Sequence, residues 1–175
     1  MTDPSPSMMR SRALSDHIIH MIRAQGPISF SAFMEAALYT PELGYYMQPD
    51  LTLGADFITS PQLGPWLAQC LAEACLPVLQ QCGTDSCLVE FGPGSGQLCH
   101  DVLSACAAAG VVPAQYYMIE ISPSLRALQE RTCETLPADL KDRITWVSAC
   151  PPCSGVVIAN EFLDAWPIEQ FSIMP

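Results

Sequence analysis

One stretch constrains this chain more than any other. Cys87-Leu88-Val89-Glu90-Phe91 is a short apolar run that breaks into Gly92-Pro93-Gly94-Ser95-Gly96, and helical spacing sets in over residues 97–109. A strand that turns straight into a helix needs left-handed backbone at the corner, which glycine adopts without a steric penalty. The change of period repeats downstream. Residues 116–120 read as a second strand, Ser122-Pro123 opens a helix over 124–136, and residues 144–147 and 156–159 read as two more strands. This alternation predicts an α/β fold with a parallel sheet and right-handed crossovers. A length of 175 residues suits one domain with a real core.

Upstream, Leu14, Ile18, Ile19 and Ile22 recur at helical spacing over residues 11–25, and Gly26-Pro27 stops the run. Ser29 is placed to cap a second helix over 30–39. Residues 41–65 are rich in Pro, Gly, Asp and Thr and show no period, which is long for a plain connection and reads as a functional loop. Helical spacing resumes over residues 61–81 through Trp66, Leu67, Leu71, Cys75 and Val78, with Pro77 expected to kink it late. Three regions are expected: a disordered tail 1–12, a helical region 13–83 containing the loop 41–65, and a sheet domain 84–175.

Composition excludes several classes. With 18 acidic residues against 7 basic ones and a net charge of -11, the chain repels nucleic acid and anionic membrane surfaces. No apolar run approaches the about 18–20 residues of a membrane span, so a soluble chain is expected. Half of the residues are hydrophobic, which excludes a wholly disordered protein. Of the nine cysteines, Cys70, Cys75, Cys82, Cys99 and Cys106 lie on helical patterns and read as small hydrophobes in a reducing compartment. Cys150-Pro-Pro-Cys153 has C-x-x-C spacing, but no second pair follows and the double proline reads as a rigid loop. His17, His20 and His100 form no metal-ligand pattern, and no metal is expected. The N-terminus lacks the apolar segment of a secretory signal, which points to the cytoplasm.

The chemistry concentrates around the glycine turn. Its spacing is G-x-G-x-G, not the G-x-G-x-x-G of nicotinamide dinucleotide binders, and no G-K-[ST] follows. The helix start offers free N–H groups to a carboxylate or phosphate. Glu90, just before the turn, suits a positively charged group, and Glu120 at the next strand end can accept hydrogen bonds from both ribose hydroxyls. Together with Gly92, Gly94 and Gly96 these residues fit S-adenosylmethionine. Asn160, Glu161 and Asp164 follow the fourth strand, at the carboxyl edge where open α/β sheets bind ligands. They are candidates to face a methyl acceptor, although Asn160 or Asp164 could equally cap a helical turn. Around Asp56, spacing favours simple helix capping by Thr59 or Ser60 ahead of Pro61.

Six ordered stretches then carry a resemblance: Phe33-Met34-Glu35-Ala36-Ala37-Leu38-Tyr39 with Pro41, Gly44-Tyr45-Tyr46, Asp56-Phe57-Ile58-Thr59-Ser60-Pro61, the glycine turn with Glu90, Ile119-Glu120-Ile121-Ser122-Pro123, and Asn160-Glu161-Phe162-Leu163-Asp164-Ala165-Trp166-Pro167. The sequence resembles the MidA family of class I S-adenosylmethionine-dependent methyltransferases, whose mitochondrial members are complex I assembly factors that dimethylate an arginine. The resemblance implies an N-terminal helical region followed by a truncated, Rossmann-like class I sheet with four strands in order 3-2-1-4. It implies Asp56, Thr59, Ser60, Glu90, Gly92, Gly94, Gly96 and Glu120 at the cofactor, and Asn160, Glu161 and Asp164 as catalytic residues. Ala55 departs from the family pattern, in which the glycine and Asp56 are adjacent.

The resemblance also implies a chain about twice this length. The sequence therefore reads as a first half whose fourth strand becomes an open apolar edge, in need of a partner or a second copy to cover it. The leading expectation is arginine methylation on a respiratory-complex or other protein, in a bacterial cytoplasm or a eukaryotic mitochondrion. The alternative is a non-catalytic module that binds S-adenosylmethionine or a protein partner. The glycine spacing disfavours a nicotinamide oxidoreductase.

Overall fold

The computed structural model describes residues 5–49, 51, 53 and 58–173. It divides into two compact units, Met1–Leu51 with Leu163–Pro175, and Thr52–Phe162.

The first unit is helical. Helix α1 spans Pro6–Gln25, and its start is set by Ser5, whose side chain accepts from the Met8 amide at 3.3 Å, with Pro6 in the first turn. This corrects the expected tail over residues 6–12, which are helical because a cap and a proline precede them. Helix α2 spans Phe30–Tyr39, the bounds its cap and apolar spacing predict, with Ser29 Oγ accepting from the Ala32 amide at 3.1 Å. The chain then folds back on the end of α2. The Gly44 amide donates to the Thr40 carbonyl at 2.7 Å, and a Cβ on Gly44 would sit 2.6 Å from the amide nitrogens of Tyr39 and Thr40. Tyr39 and Tyr46 stack at 5.9 Å, Tyr45 meets Tyr46 edge-on at 5.1 Å, and the Tyr39 hydroxyl donates to the Ala165 carbonyl at 2.7 Å.

In the second unit, helix α3 (Trp66–Cys82) runs through Pro77 and is followed by strand β1 (Ser86–Phe91). Helix α4 (Gln97–Ala108), strand β2 (Gln115–Ile119), helix α5 (Pro123–Cys133), the short α6 (Ala138–Lys141), β3 (Ile144–Val147) and β4 (Ser154–Ile158) complete it. The strands form one parallel sheet in the order β3-β2-β1-β4, as expected. Parallel neighbours cannot be joined by a hairpin, which is why α4 and α5 intervene. The short helix α6 was not foreseen. Gly155 lets β4 lie against β1, because a Cβ there would collide with the Cys87 carbonyl.

One face of the sheet carries the core. Leu88, Tyr116, Met118, Ile144 and Ile158 pack with Ala72, Cys75 and Leu79 of α3 and with Cys99, Val102, Leu103 and Cys106 of α4. Burial of each large apolar side chain contributes about 1.5–3 kcal/mol. Cys99 and Cys106 behave as the small hydrophobes expected of them, and burial pushes the Cys106 thiol up to about 11. Helix α3 therefore belongs with the sheet, so the boundary expected between residues 83 and 84 falls inside this unit. The helix is tied in by its apolar face, which packs on residues that follow it in sequence. Among the described residues no helix is long and apolar enough to cross a membrane, and no group of three or more His, Cys, Asp or Glu could hold a metal ion.

Candidate functional site

The glycine turn, Glu120, Asn160 and Glu161 all follow the carboxyl ends of strands. β1 connects onward to β2 on one side while β4 lies on its other side, so the turn sits where the strand order reverses. Gly92, Gly94 and Gly96 have φ of 62°, 55° and 81°, which explains why glycine is needed at all three. Gly96 is the residue before α4 and has no side chain to cap it, while the Gln97 amide donates to Ser95 Oγ at 3.4 Å. Two of these glycines also make room. A Cβ on Gly92 would lie 2.8 Å from the Phe162 ring, and one on Gly96 would lie 3.0 Å from Cα of Gln129.

Glu120 follows β2, and both of its oxygens are held. Oε1 accepts from the Ser122 amide at 2.7 Å and Oε2 from Gln129 Nε2 at 3.0 Å. Burial pushes its carboxyl above the usual range, while the bonds from Ser122 and Gln129 pull it back. The same Gln129 Nε2 donates to the Gly94 carbonyl at 3.0 Å, so the turn and Glu120 are joined through one side chain. Sequence reasoning missed Gln129. Between Leu128 and Glu130 it looks like a solvent-facing helix residue, and only the absence of a side chain at Gly96 brings α5 close enough to bury it.

Glu90 is 2% exposed, and its Oε2 accepts from the Tyr116 hydroxyl at 2.7 Å. Burial pushes its carboxyl up to about 7, against the lowering effect of that bond. Its side chain lies on the face of the sheet that Leu88, Tyr116 and Met118 share.

A second set of residues meets across 101 positions of sequence. The Ser60 amide donates to Glu161 Oε1 at 3.0 Å, and Asn160 Nδ2 lies 3.5 Å from the same oxygen. Glu161 holds φ 48°, a left-handed conformation unfavourable for a residue with a Cβ. Its neighbour Phe162 packs on Phe91 with ring centroids 5.4 Å apart. Thr59 opens the short helical turn Ser60–Leu63, its amide donating to Gln62 Oε1 at 3.0 Å, which matches the capping role its spacing suggested. Asp164 belongs to the helical unit, where burial first and Asp164 second push the Tyr46 phenol up. Asp56 lies outside the described residues.

A turn of three left-handed glycines and an acid after the second strand thus meet at the carboxyl edge of a parallel α/β sheet. Comparisons narrow this. The family model described as "Putative S-adenosyl-L-methionine-dependent methyltransferase" matches residues 70–174, and the chain belongs to that family. The chain is 31% identical over 192 residues to the Danio rerio "Protein arginine methyltransferase NDUFAF7, mitochondrial", covering 92% of this chain and 44% of that protein. The Caenorhabditis elegans homolog of that name is also 31% identical, over 93% of this chain and 44% of its own length. A Burkholderia thailandensis protein crystallised with S-adenosyl-homocysteine superimposes with a TM-score of 0.82 and 38% identity, covering 95% of this chain and 45% of that one. A native structure of a Burkholderia thailandensis protein gives a TM-score of 0.78 and 36% identity, over 97% of this chain and 44% of that one. The MidA resemblance and the strand order it implied are thus borne out. The chain spans about half the length of the curated relatives it matches.

Proposed function

We propose that this sequence carries the cofactor-binding part of a methyltransferase that acts on an arginine side chain of a protein. The observation that carries this reading is the link from Gly94 through Gln129 to Glu120 at the ends of β1 and β2. The residues fit the cofactor. Gly92, Gly94 and Gly96 allow close backbone approach, and the start of α4 suits its carboxylate. The bonds from Ser122 and Gln129 use two of the roughly four acceptor sites of the Glu120 carboxylate, which leaves capacity for ribose hydroxyls. S-adenosylmethionine supplies a methyl group already activated on a sulfonium sulfur. Glu161 orients a guanidinium through charge-assisted hydrogen bonds, while Asn160 and Asp164 join the acceptor side on resemblance alone. Ser60 holds Glu161 in place, Thr59 fixes the loop, and Asp56 joins the cofactor contacts on resemblance alone. Such an enzyme works in the cytoplasm of a bacterium or the mitochondrion of a eukaryote, and the open side of β4 receives a partner or a second copy.

Calorimetric titration of the 175-residue chain with S-adenosylmethionine, S-adenosyl-homocysteine and NADH tests this reading. Binding of the first two and not the third is expected, weakened in Glu120→Ala and retained in Glu161→Gln, with transfer to an arginine-containing protein lowered in the latter. A folded chain that binds neither sulfur compound contradicts the reading, and binding without any transfer reduces it to a non-catalytic module.

A further inference from the structure

Gln129 makes three hydrogen bonds from a fully buried position, at 0% exposure. Its Nε2 donates to the Gly94 carbonyl and to Glu120 Oε2, both at 3.0 Å, and its Oε1 accepts from the Trp146 indole at 2.9 Å. These partners settle which way the amide points, since the reverse orientation would set its oxygen against a carbonyl and a carboxylate. Both amide hydrogens are used. No other side chain of this size offers two donors toward one side and an acceptor toward the other.

We infer that Gln129 is a positioning residue that fixes the Glu120 carboxylate in its ionised form and ties it to the glycine turn. The inference rests on the proposed cofactor reading and adds to it how the site is kept ready. A partly buried carboxylate such as Glu120 takes up a proton more readily than an exposed one and would then lose acceptor capacity toward hydroxyl donors. Gln129 opposes this by donating to Oε2, while Ser122 anchors Oε1. Arg126 reaches the Trp146 ring that bonds Gln129. That guanidinium lies 5.5 Å over the Trp146 ring and pairs with Glu130 at 3.2 Å. The Gly96 position belongs to the same device, because a Cβ there would meet the Gln129 backbone at 3.0 Å.

Two variants of the full chain test this, Gln129→Met and Gln129→Glu. Each is followed by carbon-detected titration of the Glu120 carboxyl, assigned with Glu120→Gln, and by calorimetry with S-adenosyl-homocysteine from about pH 5 to about pH 8. Gln129→Met should raise the Glu120 midpoint and weaken binding roughly ten-fold at neutral pH, as loss of one hydrogen bond to a charged group implies. Gln129→Glu should bind worst at the alkaline end and recover on acidification, when the two facing carboxyls share a proton and one again donates to the other. That recovery would not arise from a merely structural role, and it keeps the test decisive if Gln129→Met fails to fold. An unmoved Glu120 midpoint in Gln129→Met, or a pH-independent loss in Gln129→Glu, overturns the inference. A moved midpoint in a chain whose unaltered form binds no S-adenosyl-homocysteine sinks the cofactor reading and leaves the link between Gln129 and Glu120 standing.

Discussion

The glycine-turn region of the sheet unit and the aromatic corner of the helical unit are both assembled from motif residues, yet they are built in opposite ways. Around the turn, polar side chains hold one another: Gln129 bridges Gly94 and Glu120, Tyr116 donates to Glu90, and the Ser60 amide holds Glu161. Burial there raises the carboxyls of Glu90 and Glu120. In the aromatic corner Tyr39, Tyr45 and Tyr46 pack ring on ring, Gly44 is required by close approach alone, and one hydroxyl-to-carbonyl bond reaches Ala165. A motif in the sequence therefore does not announce chemistry by itself. The first region holds titratable carboxyls at a cost in desolvation, whereas the second has the character of a packed joint.

The largest expected effect comes from Gly96→Ala, which forces a Cβ into left-handed backbone and against the Gln129 backbone. A loss of about 2–4 kcal/mol is expected from denaturant melts, together with loss of cofactor binding. An unaffected variant would dissolve the contrast between the two regions. Glu90→Gln should act through pH. Because folding raises the Glu90 pKa from 4.5 to about 7, its contribution to stability is fully present below the lower value and is lost as pH rises through the upper one. The variant, which does not ionise, should gain stability relative to the parent on the order of 3 kcal/mol at alkaline pH and little in acid, as read from thermal melts in both.

Smaller changes probe the helical unit. Tyr39→Phe removes the bond to Ala165 and should cost about 1 kcal/mol while leaving cofactor affinity unchanged. A parallel loss of affinity would show that this corner is more than packing. Asp164→Asn should let the Tyr46 phenol fall only part of the way toward its ordinary range, because burial, the larger cause, remains. Ultraviolet titration against Tyr46→Phe measures this, and a complete return would mean that the charge of Asp164 dominates.

Much of this was legible in the sequence where local rules suffice. The bounds of α2, the strand-to-helix turn and the acid after β2 follow from caps, period and glycine spacing, and the order of the strands came from the family resemblance. The start of α1 was equally local, since Ser5-Pro6 is a cap and first-turn proline, but the polar composition around it suggested a tail. Gln129 and the Glu90–Tyr116 pair were not legible. Their roles depend on contacts across 35 and 26 positions that no periodicity encodes. Nor could spacing show that Leu163 begins a return to the helical unit, which divides the final motif between two units.

The most direct test of the central claim is an amide NMR titration of the chain with S-adenosyl-homocysteine. Shift changes should concentrate at Gly92, Gly94, Gly96, Gln97 and residues 120–122, with Tyr39, Tyr45 and Tyr46 largely unmoved. Changes centred on the aromatic corner, or none at saturating ligand, would contradict it.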